Sequence, residues 1–199
     1  MEKRDTKKEF ITAFWKLYEI KPIEKISVSQ LCKTAGYNRA TFYNHFDNIY
    51  DLLNKAVREI LIPVKNSVLS IQNIRVLLQE NLIGSILFAC FQQQDKYIEL
   101  LFKRQNYFVL GDQIKKEFLL LISADTENRT VNGETIEILL EYQISAVLGV
   151  INYWYQKGKP VSEQEILQKI YDISSKGVLE SFKSELNGVK GLSRDARGI

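Results

Sequence analysis

The chain has 199 residues, 45% of them apolar and 26% charged, with 10 glycines and only 3 prolines; this is enough for a sizeable core and excludes a disordered chain or a turn-rich all-β fold. Two cysteines far apart and a single histidine exclude a disulfide framework and a Cys/His zinc site. The formal net charge of +3 is unevenly spread: residues 1–58 hold eleven basic against seven acidic side chains, and the positive excess is densest at Lys3, Arg4, Lys7 and Lys8. Such a cluster suits an acidic partner such as nucleic acid, and equally a solvated helix face.

From Lys3 to Ile20, the residues Phe10, Ile11, Phe14, Leu17 and Tyr18 recur at helical spacing and predict an amphipathic helix. It must end before Lys21-Pro22, because the residue preceding proline is pushed out of the helical region. Ser27-Val28-Ser29-Gln30 fits a capping box that opens a second helix, which closes at Gly36. Asn38 is placed to cap a third helix from Arg39 to about Phe46, and Asp47 or Asn48 to cap a fourth beginning at Ile49. Helix, short glycine turn and helix make a helix-turn-helix. The third helix carries more hydrogen-bonding side chains than a core helix tolerates, since a buried polar group without a partner costs free energy.

Pro63 kinks or ends the fourth helix, which carries Leu52, Leu53, Ala56, Val57 and Ile60. Further helices are expected over about Asn73 to Phe91, Lys96 to Lys103 and Tyr107 to Ser123, followed by the loop SADTENRTVNG. Glu134 to Lys157 reads as a helix apolar nearly all round, and Ser162 opens a last helix running to about Leu186 before Gly188. The uncharged run Tyr142–Gln156 covers 15 residues, shorter than the roughly 20 a membrane span needs. It is read as a buried helix of a soluble protein. With small residues at Ser145, Gly149 and Gly177, one side of these two helices is expected to pack on the protein's own body. The other, with Tyr142, Tyr153, Ile166, Ile170 and Ile173, is expected to meet a second copy in a two-fold four-helix interface. An intramolecular core alone is the plainer reading of the same pattern.

The stretch ISVSQLCKTAGYNRATFYNHF resembles the helix-turn-helix of the TetR family of bacterial one-component transcriptional regulators. The likeness spans about residues 6–55 and is carried by the Ala35-Gly36 turn, Thr41-Phe42-Tyr43 and His45-Phe46. The C-terminal stretch GVINYWYQKGKPVSEQEI is similar to the subset typified by regulators of dihydroxyacetone-kinase operons. The resemblance implies an all-α protein: a three-helix DNA-binding domain over residues 1–47 and a helical domain for effector binding and dimerisation over 48–199. It implies that the third helix enters the major groove, with Asn38, Arg39, Thr41 and Asn44 at base edges, Arg39 being suited to guanine. Tyr43 and His45 would hold phosphates, Ser27 and Ser29 would form a phosphate clamp at a helix N-terminus, and Lys3, Arg4, Lys7 and Lys8 would follow the backbone or enter the minor groove. Among the aromatics of the middle region, Phe88, Phe91 and Tyr107, with Arg104 for an anionic ligand, are the candidates for an effector pocket. Phe42 and Phe46 read as core; Tyr37 suits core or surface.

The expected function is therefore that of a cytoplasmic homodimeric transcriptional regulator, repressor or activator, on a palindromic site in double-stranded DNA, controlled by a small-molecule or protein effector. No cofactor, metal or membrane partner is expected. An enzyme is disfavoured, because no GxSxG, HExxH, P-loop or dinucleotide fingerprint occurs and His45 lacks a catalytic partner at motif spacing. The alternative is a DNA-binding or protein-interaction module built on the same helix-turn-helix but without a small-molecule ligand.

Overall fold

The computed structural model describes residues 5–63, 66, 95–124 and 133–177. No strand occurs among them, and the chain is all-α. Helix α1 (Thr6–Ile20) starts where the Asp5 carboxylate accepts the N–H groups of Lys7 at 3.1 Å and Lys8 at 3.3 Å. It buries Phe10, Ile11, Ala13, Phe14, Trp15 and Tyr18 and stops at Lys21, which is extended ahead of Pro22. A 3-10 turn at Ile23–Lys25 seats Ile23 in the core. Helix α2 (Val28–Ala35) has both bonds of the capping box between Ser27 and Gln30. Gly36 ends it at φ +78°, a left-handed conformation that glycine adopts without a Cβ clash.

Helix α3 (Arg39–Tyr43) is shorter than the run to Phe46 expected from the sequence. After Tyr43 the chain tightens, with the His45 N–H bonded to Phe42 O at 3.0 Å. That turn swings Phe46 under the helix, where it is 1% exposed and meets Phe10 edge-on at 5.9 Å between ring centroids. Phe42 meets Phe10 in the same way at 5.5 Å. Of the two caps offered for helix α4 (Ile49–Ile60), Asn48 is the one used: its Oδ1 accepts from the Tyr50 and Asp51 N–H groups.

Among the described residues, helices α5 (Asp95–Lys103), α6 (Phe108–Ala124), α7 (Gly133–Gln156) and α8 (Glu163–Lys176) follow. The helix expected over Asn73 to Phe91 lies outside the described residues. The last helix was expected to reach Leu186 but closes at Lys176, because Gly177 takes φ +82° and ψ 155°, a conformation outside the helical region. Ile98, Phe102, Leu110, Ile114, Ile144, Leu148 and Ile151 continue the same core that begins at Phe10. Phe102 is stacked between Tyr107 at 5.1 Å and Tyr155 at 4.9 Å. Helix α4 packs on α1 and on α6 alike, so the helix expected to open the second domain is also a wall of the first.

Candidate nucleic-acid interface

Helix α3 is only five residues long, too short to be stable alone. What holds it is the pair of buried phenylalanines beneath it; its other face is open to water. Arg39, Tyr43, Asn44 and His45 are exposed, as are Asn38 at its start and Ser27 and Ser29 at the start of α2. Thr41 is half-buried. Two of the expected contact residues are tied to each other: Asn38 Oδ1 accepts from the Thr41 N–H at 2.8 Å and from the Thr41 hydroxyl at 3.0 Å. The Asn38 oxygen is thus occupied as the helix cap, which leaves its amide NH2 for any outside contact. Arg39 and Tyr43, one turn apart, are joined by a guanidinium-to-phenol hydrogen bond of 3.4 Å. Ser27 likewise spends its hydroxyl as an acceptor for the Gln30 N–H, and the Gln30 amide oxygen also accepts from Lys21 Nζ at 2.7 Å. Lys3 and Arg4 lie outside the described residues. Lys7 is paired with Glu59 at 3.2 Å.

A feature the sequence reading missed sits behind α3. Lys55 Nζ, on α4, donates to His45 O at 2.8 Å and to Asp51 Oδ2 at 2.8 Å, and lies 5.3 Å from the Phe46 ring centroid. The same Asp51 oxygen accepts the Asp47 N–H at 3.0 Å. Burial alone would raise the Asp51 carboxyl, but the hydrogen bonds from Lys55 and Asp47 and the charge of Lys55 outweigh it and hold the group below the usual carboxylate range. The i,i+4 spacing of Asp51 and Lys55 was the available signal; its target, a backbone carbonyl ten residues away, was not.

The expected effector residues separate. Phe88 and Phe91 lie outside the described residues. Arg104 makes a packing contact: its guanidinium donates to Glu19 O at 3.1 Å, across the junction with α1. Tyr107 does line a cavity of about 280 Å³ between α6 and α7, together with Gly111, Ser145, Gly149 and the ion pair of Lys115 with Glu141. Of the residues expected at a dimer contact, Tyr142 and Tyr153 are each 61% exposed and Ile173 37%. Ser145, Gly149 and Gly177 are exposed as well, and Ile166 is half-buried. Ile170 is buried in the protein's own core, on the side of α8 that packs against α7.

Two family models match the chain. Residues 11–56 match the bacterial regulatory proteins of the tetR family, and residues 85–176 match the C-terminal region of transcriptional regulators. The chain belongs to the TetR family. The first match covers the helix-turn-helix just described, so the protein is a transcriptional regulator with a DNA-binding N-terminal unit. No curated protein matches it. Among the described residues, no helix of this TetR-family chain is long and apolar enough to cross a membrane. No cluster of three metal-ligating side chains forms among them either.

Proposed function

We propose that this TetR-family protein acts as a cytoplasmic homodimeric repressor that reads a palindromic operator with α3 and is released or retained by an effector bound to the helices beyond α4. The observation that carries the reading is the water-facing row of Arg39 and Tyr43 on α3 and Asn44 and His45 in the turn that ends it, anchored from beneath by Phe42 and Phe46. Arg39 supplies a donor fork suited to guanine O6 and N7. Tyr43 and His45 supply phosphate contacts that fix the register without reading sequence. A two-fold pair of such helices spans one turn of DNA, about 34 Å, or a multiple of it. The cavity beside Tyr107 is a place for a small effector, whose influence is bounded by its differential affinity for the two states of the dimer. The likeness of the C-terminal stretch to regulators of dihydroxyacetone-kinase operons makes a protein the other class of effector.

Selection of bound fragments from a random duplex library at fixed, near-physiological salt tests this reading. A palindrome is expected. On the recovered duplex, Arg39→Ala should relax preference at one base position by about 1–3 kcal/mol, while Tyr43→Ala weakens binding to all sequences alike. Recovery of no sequence, with binding that vanishes as salt rises, would leave only a non-specific basic surface.

A further inference from the structure

We propose that Lys55 and Asp51 are positioning residues for DNA recognition: together they clamp the turn that follows α3 and so set how α3 is presented to the groove. The proposal rests on the reading of α3 as the DNA-contacting helix. A five-residue helix fixes neither its own axis nor its own depth; both come from what it is fastened to. The cap at Asn38 and the Gly36 turn fasten its start. Its far end is fastened at three consecutive residues, namely His45 through its carbonyl, Phe46 through its buried ring and Asp47 through its N–H.

The first and third of these bonds converge on one Lys55–Asp51 pair. A lysine ammonium has three donors and no acceptor, and here two are used in place, toward His45 O and Asp51 Oδ2. Asp51 Oδ2 in turn joins Lys55 to the Asp47 N–H. A half-buried ion pair such as this one contributes little net stability, because the cost of taking its charges from water offsets much of their attraction. Its effect is geometric, since both backbone groups flanking Phe46 are held to a single helix. That helix is fixed to the body of the protein: the Gln113 amide donates to Asn54 Oδ1 at 3.4 Å, next to Lys55 in sequence, and Arg58 lies 4.0 Å from Glu117. The clamp therefore connects the position of α6 with the position of α3.

Lys55 is also a cation near a DNA-binding surface, and a direct phosphate contact is the rival account. The two differ in what they do to sequence preference. The test uses the full chain and two duplexes, the selected one and a scrambled one of the same length, titrated at several salt concentrations, with helical content and thermal midpoint measured alongside. With the clamp, Lys55→Met and Asp51→Asn each lower affinity for the selected duplex by about tenfold. Affinity for the scrambled duplex and the slope against salt stay as in the parent, and Lys55→Arg restores part of the loss. Asp51→Asn, which keeps its side chain's size, decides the case in which Lys55→Met does not fold.

Equal weakening of both duplexes by Lys55→Met, with a salt slope smaller by about one, overturns the proposal in favour of a phosphate contact. So does an undiminished preference in both variants. A parent chain with no preference between the duplexes removes the reading of α3 itself, and the positioning role with it.

Discussion

Tyr18 is fully buried, yet its phenol lies at a junction between the DNA-binding unit and the helices behind it. The Asn106 amide, itself buried, donates to the Tyr18 oxygen at 2.8 Å and to Arg104 O at 3.1 Å. Burial pushes the Tyr18 hydroxyl from its ordinary 10.0 up to about 12, with the Asn106 bond and the Arg104 charge pulling weakly the other way. A raised folded-state value means that the contribution to stability is complete below about pH 10. It then falls as the unfolded chain releases its proton first, and is gone above about pH 12. At about 1.4 kcal/mol per pH unit the loss is at most roughly 3 kcal/mol. Urea unfolding between pH 8 and 11, a window of about three units, should show that decline in the parent and a smaller one in Tyr18→Phe, which at neutral pH costs about 1 kcal/mol for the lost hydrogen bond. Identical pH profiles for the two chains would remove Tyr18 as the cause. None of this was legible in the sequence. Arg104 could be seen there as a cation beside aromatics, but its partner Glu19 is 85 positions away, and only the packed chain brings them together.

At the scale of elements, starts were legible and some ends were not. Ser27, Asn38 and Ser162 are side chains whose oxygen serves a free N–H three residues on, a local relation that sequence spacing states outright. The end of α3 is set instead by the need to bring Phe46 under Phe10, which is tertiary. The end of α8 is set by Gly177, where the apolar pattern ran on through a break in the backbone. Glycine also marks two different constraints, and substitution should separate them. At Gly36 a Cβ meets nothing within 4 Å, but φ is +78°, so Gly36→Ala should cost about 1–2 kcal/mol through the backbone alone. At Gly111 the backbone is ordinary, and a Cβ would come within 2.8 Å of Leu148 Cδ1 and 3.3 Å of Ile144 Cγ2, where α6 and α7 touch. Gly111→Ala should therefore cost about 1–3 kcal/mol by overpacking, and Leu148→Val in the same chain should recover part of it. Denaturant midpoints decide: no recovery in the Gly111→Ala, Leu148→Val chain would rule out the contact as the source, while recovery of Gly36→Ala by any neighbour's truncation would rule out strain.

For the whole molecule the question is what covers α7. The helix was read from sequence as apolar on nearly every side, and the fold accounts for one side of it: Leu140, Ile144, Val147, Leu148, Ile151 and Trp154 are buried. Ile138, Tyr142 and Tyr153 remain open, with Ser145, Ala146 and Gly149 between them at helical spacing. Over 15 positions such a stripe extends about 22 Å. An apolar strip interrupted by small residues lets another backbone approach closely, and a second copy of the same stripe about a two-fold axis is self-complementary. A dimer formed there would bring two copies of α3 to one duplex, so assembly and DNA affinity should fail together. Tyr142→Glu with Tyr153→Glu replaces two exposed side chains and leaves the buried side untouched, so helical content should be that of the parent. Sedimentation equilibrium should find the parent dimeric and the double variant monomeric, and the variant should lose affinity for a palindromic duplex while keeping that for a single half-site. A double variant that still sediments as a dimer, or a parent monomeric at the concentration at which it binds the palindrome, would move the assembly surface elsewhere on the molecule.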